Sequence, residues 1–183
     1  MKLSDIEERD LKKGQPENIE EKATIDILDV LAEEGISVQD LADTALEMYV
    51  PHPGLETREK AEALFKRELK FALSDPPNLC LLIYTGGVLL EREGKAGNLP
   101  NLSKKSYEKD LTFIIADEVL GTSIATYISG SKGAFEFVRY DKQKPGILAN
   151  LGPFMDDVIG GLIGGGVSSN MYSRGMAEFE RKD

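Results

Sequence analysis

The sequence predicts an all-α fold: a single compact bundle of about six helices with a buried glycine-rich helix near the C-terminus. Three observations carry that reading. Apolar residues recur three and four positions apart along residues 22–175, the spacing of one helix face. Capping residues, glycines and prolines stand where those runs start and stop. No stretch shows period-two alternation between hairpin turns. Residues 1–21 are charged and read as a flexible tail, 22–175 as the helical domain, and 176–183 as a second charged tail.

The elements follow in order. A first helix is expected from about Lys22 to Glu34, with Ile25, Leu28, Leu31 and Ala32 inward and Gly35 in the position that ends helices. Ser37 starts the second, with Asp40 three residues on as a capping box. Leu41, Ala45, Met48 and Tyr49 form its apolar stripe, and Pro51-His52-Pro53-Gly54 stops it. Thr57 caps a third, to about Leu73, that buries Ala61, Leu64, Phe65, Leu69 and Ala72. Pro76-Pro77 opens a fourth, Asn78 to about Glu93, apolar nearly all round and therefore central. Residues 94–109 read as a polar loop. A fifth helix is expected from Asp110 to about Ile128, with Leu111, Ile114, Ile115, Val119, Ile124 and Ile128 on its apolar side. Ser129-Gly130-Ser131-Lys132-Gly133 breaks it before a short helix over 134–140. Lys144-Pro145-Gly146 is a turn, because the residue before proline avoids the helical region. Pro153 suits the first position of a last helix that reaches about Ser173.

Composition excludes several chemistries. A single cysteine, Cys80, rules out an intramolecular disulfide or a cysteine-built zinc site. A single histidine, His52, rules out paired-histidine schemes. The formal net charge of −10 repels phosphate backbones, so nucleic acid is not expected as a partner. The longest apolar stretch, Leu79 to Leu90, falls short of the ~20 residues that span a bilayer. A cytoplasmic protein is the expectation. Gly161, Gly164, Gly165 and Gly166 have no preceding strand and do not make a dinucleotide loop.

The informative feature is carboxylates set inside apolar helices. Asp117-Glu118 interrupts Phe113-Ile114-Ile115-Ala116 and Val119-Leu120, and Asp156-Asp157 precedes Val158-Ile159. An unpartnered buried carboxylate costs several kcal/mol, and an adjacent like charge adds to that. A cation should therefore be close. Glycines sharpen the picture: Asp157, Gly161, Gly164 and Ser168 share one face, as do Glu118, Thr122, Ala125 and Ser129. If those faces pack, the acids converge at one end. Oxygen-only clusters suit Mg²⁺. Between the two helices, Arg139-Tyr140-Asp141-Lys142-Gln143-Lys144-Pro145 offers another acid and cations suited to phosphate. Spacing alone leaves the alternative open that these acids pair with Lys or Arg, or sit at helix N-termini where anions are favoured.

Asp117-Glu118, Asp141-x-x-Lys144-Pro145 and Phe154-Met155-Asp156-Asp157-Val158-x-Gly160-Gly161 together resemble the phosphatidylglycerophosphatase A family, in order and separation, over roughly residues 23–174. Gly35 to Ala42 is similar to the start of its soluble branch, which includes Bacillus-type proteins and archaeal α-ribazole-5′-phosphate phosphatases. Val138 stands where the membrane-bound branch has an arginine, and Arg139 follows it. The resemblance implies a Mg²⁺-dependent phosphatase in which Asp117, Glu118, Asp141, Asp156 and Asp157 are the metal-binding and catalytic acids. Lys144, with Arg139, would hold the phosphoryl oxygens. A small phosphorylated substrate is expected, α-ribazole 5′-phosphate of cobalamin nucleotide-loop assembly first and phosphatidylglycerophosphate second. The remaining alternative is a non-catalytic protein whose glycine-rich helix is an oligomer interface, and a homo-oligomer is compatible with all of these readings.

Overall fold

The computed structural model describes residues 25–74, 77–109 and 114–181, in helices α1 to α7. Among those residues the only extended pairing is an isolated bridge between His52 and Leu55. Helix α1, Ile27–Glu33, starts where the Asp26 carboxylate accepts the Leu28 N–H at 2.8 Å. The start expected at Lys22 lies outside the described residues. Ile25 precedes the helix and is 79% exposed, so Ile27 takes its place on the buried face. Helix α2, Val38–Glu47, carries the expected capping box between Ser37 and Asp40. Helix α3, Arg58–Leu73, is capped by Thr57 and buries Ala61, Leu64, Phe65 and Leu69.

Helix α4 is one continuous rod: Asn78–Leu82, a π-helical stretch Ile83–Leu89, then Leu90–Ala96. The polar segment after it is not wholly a loop. Ser103 caps a further short helix, α5, Lys104–Glu108, which the buried Tyr107 ring pins to the body of the protein.

Helix α6, Ala116–Gln143, consists of two arms that fold back at Gly130, whose φ of 62° and ψ of −151° lie in a region open only to glycine. Residues 114 and 115 are not helical, and Ile115 and Val119 are 68% and 58% exposed, contrary to the expected apolar side. The buried side is Asp117, Gly121, Ile124 and Ala125. A left-handed Lys144 (φ 42°) ends the second arm. A 3₁₀ turn, Gly146–Asn150, then leads to α7. Its Ile147 N–H is accepted by Thr44 Oγ1 and its Gly146 N–H by Glu47, which tie the turn to α2. Helix α7 runs through Pro153–Gly160, a π-helical stretch Gly161–Ser168, and Ser169–Glu180, beyond the Ser173 end expected.

The centre of the fold is where α6 and α7 touch backbone to backbone. A Cβ on Gly161 would lie 2.3 Å from the Gly121 carbonyl oxygen, and one on Gly121 would lie 2.6 Å from that of Asp157. A Cβ on Gly165 would meet Ala125 at 2.3 Å. The contacts rise together in number, so the first arm of α6 runs parallel to α7. The second arm returns, with Phe137 beside Gly121 and Gly133 beside Ala125. The faces in contact are therefore 117–121–125 and 157–161–165. The sequence spacing predicts Thr122 and Gly164 there; Thr122 is exposed and Gly164 instead accommodates the Tyr140 ring. The π-helical stretch takes more residues per turn than an α-helix, which shifts the register. Every residue of 161–168 is buried within the chain, so this stretch is packed on its own protein rather than offered as an oligomer surface. Around it lies a single apolar core that includes Leu31, Leu41, Phe65, Leu79, Ile83, Ile124, Leu148 and Ile159. Among the described residues no helix is long and apolar enough to cross a membrane.

Gly161→Ala separates propensity from packing. Alanine is the better helix former by about 1 kcal/mol, but here its methyl would meet a backbone oxygen at 2.3 Å. Chemical denaturation should show destabilisation by about 1–3 kcal/mol; stabilisation would mean that the two backbones are not in contact.

Candidate active site

The parallel packing of the first arm of α6 on α7 puts their N-terminal ends side by side. Asp117 and Glu118 open one helix, and Asp156 and Asp157 lie in the first turns of the other. Carboxylates are favoured at helix N-termini, which offsets part of the cost of gathering them. The second arm of α6 then returns Asp141 and Lys144 to the same end. The reversal at Gly130 thus converts distant stretches of chain into one cluster.

These side chains line an open cleft of about 900 Å³ together with Glu91, Lys95, Tyr107, Ile114, Ile115, Leu151 and Pro153. A second cavity of about 590 Å³, beside α1 and α4, is walled by Ile27, Val30, Leu73, Leu81 and Tyr84 and gathers no such group of acids. Apolar walls with convergent polar groups are the mark of a binding site, and of these two cavities the first gathers the group of acids.

Lys144 sits in the middle of the acids. Its Nζ lies 2.7 Å from Asp141, 2.7 Å from Asp156 and 3.2 Å from Asp157. Lys144 itself stands at the end of the second arm of α6 in a left-handed conformation. Glu118, Asp141 and Asp157 each offer one oxygen, and those oxygens all lie within 4.8 Å of one another. Of the three, Asp157 is buried, Asp141 half-buried and Glu118 exposed at the cleft mouth. Asp117 is 5% exposed, and its Oδ1 accepts the Glu118 N–H at 2.8 Å.

The electrostatics follow from burial and crowding. Burial pushes Asp156 up to about 6, against the pull of Lys144. Asp157 is raised by burial first and then by the charge of Asp156, with Lys144 again pulling down. Glu118 is raised by burial and by Asp141 and Asp117. Burial alone would lower Lys144, but hydrogen bonds to Asp141 and Asp156, with the charges of Asp156 and Asp157, more than offset it and hold the ammonium charged. Five carboxylates around one central ammonium leave room for more positive charge. The donor set is hard oxygen, at spacings a divalent cation can bridge, so Glu118, Asp141 and Asp157 could hold a metal ion.

Arg139 is not brought into this cluster. Its guanidinium pairs with Glu136 at 3.1 Å and lies over the Tyr140 ring. Residues two apart on a helix point roughly 200° away from each other, so Arg139 and Asp141 cannot share a face. Sequence reasoning missed Glu91 and Tyr107. The Glu91 carboxylate is 1% exposed and accepts from the Tyr107 hydroxyl at 2.7 Å. The signal was present: an acid beside Leu89-Leu90 in an apolar helix is the same pattern that singles out Asp117.

The raised carboxyls set a pH dependence for the metal-free protein. A group whose folded pKa exceeds its unfolded value holds its proton longer in the native state, so its contribution is lost as pH rises through the folded value. For Asp156 that window runs from 3.8 to about 6. Thermal melts in a chelator should therefore lose stability across it, and Asp156→Asn should flatten that slope. A slope that survives the substitution would remove Asp156 as its source.

Comparison with known proteins agrees with this geometry. The family model of phosphatidylglycerophosphatase A matches residues 73–172, which contain every acid of the cluster. The uncharacterized protein MJ1330 of Methanocaldococcus jannaschii is 37% identical over 130 residues, 69% of this chain and 96% of that one. The low temperature requirement C protein of Listeria monocytogenes is 25% identical with a TM-score of 0.66, over 81% of this chain and 93% of that one. A protein of unknown function from Bacillus stearothermophilus shares the fold at 24% identity and a TM-score of 0.67, over 81% of this chain and 96% of that one. The matched segment holds the whole acidic cluster, all of α6 and most of α7, and the chain belongs to the phosphatidylglycerophosphatase A family.

Proposed function

We propose that this phosphatase-family chain is a Mg²⁺-dependent phosphomonoesterase that acts on a small phosphate ester, with α-ribazole 5′-phosphate as the leading substrate. The observation that carries the reading is the trio Glu118, Asp141 and Asp157, whose oxygens lie within 4.8 Å of one another at the wall of the cleft. Asp117 and Asp156 flank that trio. When bound, Mg²⁺ would supply charge neutralisation for phosphoryl oxygens and would acidify water. The rest of the chemistry belongs to the chain. Lys144 Nζ is held in place by Asp141 and Asp156 and can donate to a phosphoryl oxygen. The Asp156 carboxyl, pushed up to about 6, can accept a proton from the attacking water near neutral pH. Arg139, paired with Glu136, would have to leave that partner to reach the phosphate.

The apolar part of the cleft lining fits the ester's other half. Ile114, Ile115, Leu151 and Pro153 form an apolar rim beside Tyr107, suited to a flat or apolar leaving group. The family description favours a second reading, in which the leaving group is phosphatidylglycerol and the substrate a lipid. The formal net charge of −10 argues against close approach to an anionic bilayer and favours the soluble ester.

Phosphate release from α-ribazole 5′-phosphate and from phosphatidylglycerophosphate, each with and without Mg²⁺, tests both. Release from the first, dependent on the metal, is expected; preference for the lipid would select the second reading, and silence with both would end the enzyme proposal. Asp157→Asn should abolish turnover with its helical circular dichroism intact, and an active variant would take Asp157 out of the site.

A further inference from the structure

Beside the acidic cluster, the cleft lining holds a second polar construction, built on Glu91, that the proposed reaction does not use. Gly152, the residue before α7, has no side chain to cap the helix. The cap comes from another helix: Glu91 of α4 accepts the Met155 N–H at 3.3 Å with one carboxylate oxygen and the Tyr107 hydroxyl at 2.7 Å with the other. Lys95, one turn along α4, lies 3.2 Å from the same carboxylate. The Tyr107 ring stacks against Phe154, 6.4 Å between centroids and 13° between planes. The arrangement is built to close tolerance. A Cβ on Gly152 would lie 1.7 Å from Glu91 Oε1, and one on Gly94 would lie 2.4 Å from the Tyr107 ring. Two glycines thus make room, one for the carboxylate and one for the ring.

A charged side chain that is 1% exposed is expensive to keep. Its position shows what it does. Met155 immediately precedes Asp156 and Asp157, so the turn that Glu91 grips is the turn that presents both acids to the cleft. Through Tyr107 the same carboxylate also holds α5 at the cleft wall.

We infer that Glu91 is a positioning residue for the phosphatase site: it fixes the first turn of α7, and with it Asp156 and Asp157, against the Tyr107 wall of the cleft. This rests on the phosphatase reading above. The acidic centre needs such a brace because its carboxylates repel one another, and their own helix supplies no side-chain cap. Partners behind metal-binding side chains are typically worth about 10–100-fold in metal affinity or activity.

The test uses the full chain and three variants: Glu91→Ala, Glu91→Gln and Gly152→Ala. Titration calorimetry with Mg²⁺ and steady-state phosphate release are read beside circular dichroism. Glu91→Ala should weaken Mg²⁺ binding and lower kcat by about 10–100-fold, with KM largely unchanged. Glu91→Gln keeps an oxygen for the Met155 N–H and should recover most of the loss. Gly152→Ala keeps every charged group but displaces the carboxylate, and should resemble Glu91→Ala. A merely structural Glu91 would lower the melting temperature while the folded protein bound Mg²⁺ and turned over as before. That result in Glu91→Ala overturns the inference, as it does in Gly152→Ala should Glu91→Ala fail to fold. A wild-type protein that neither binds Mg²⁺ nor releases phosphate overturns the phosphatase reading and this inference with it, whereas an active wild type with unimpaired variants overturns this inference alone.

Discussion

Contact between two helix backbones is the constraint from which the rest of the structure follows. Gly121 and Gly161 let the first arm of α6 and the π-helical stretch of α7 approach until a single methyl group would collide with a carbonyl oxygen. A glycine-rich helix pays for that approach with its own intrinsic stability, at about 1 kcal/mol per glycine. What it gains is a tightly packed, fully buried pair of helices whose N-terminal ends lie together. Because the pair is parallel, the acids that open each helix face one cleft. An antiparallel pair with the same residues would have placed Asp117 and Asp157 at opposite ends of the bundle.

Concentrating acids has a cost, and the chain meets it in stages. The helix ends favour negative charge, and Lys144 reaches three of the carboxylates from a left-handed turn. Even so, Asp156, Asp157 and Glu118 are all driven toward their protonated forms. The cluster is therefore under-neutralised, which is the state that makes a site receptive to a divalent cation and then to phosphate. Its precision has a separate origin in Glu91, whose carboxylate braces the turn on which two of its members stand.

Much of the outline was legible in the chain itself. The capping box at Ser37 and Asp40, the Thr57 cap and the break at Gly130 appear where local chemistry places them. The acids were legible too, because a carboxylate in an apolar run is an anomaly that local sequence displays. The misreadings concern which face of a helix is buried. Val119 and Thr122 read as inward from residue type and spacing, but the first arm of α6 turns the face of Asp117, Gly121 and Ala125 toward α7; Gly164 reads as part of the helix contact because an ideal α-helical period is carried across a stretch where α7 is π-helical. Helix α5 escaped notice because a five-residue helix held by one buried tyrosine has too little periodicity to see.

What the sequence alone determined is local: helical class, most caps and breaks, and which side chains are too polar for their surroundings. Those are settled by interactions within about four residues, where backbone hydrogen bonds and neighbouring side chains act. Tertiary structure alone decided that Lys144 lies among the acids, that Arg139 points elsewhere, and that Glu91 of α4 caps a helix more than sixty residues away. Those outcomes depend on register and crossing between elements, and packing fixes them only once the backbones are in contact.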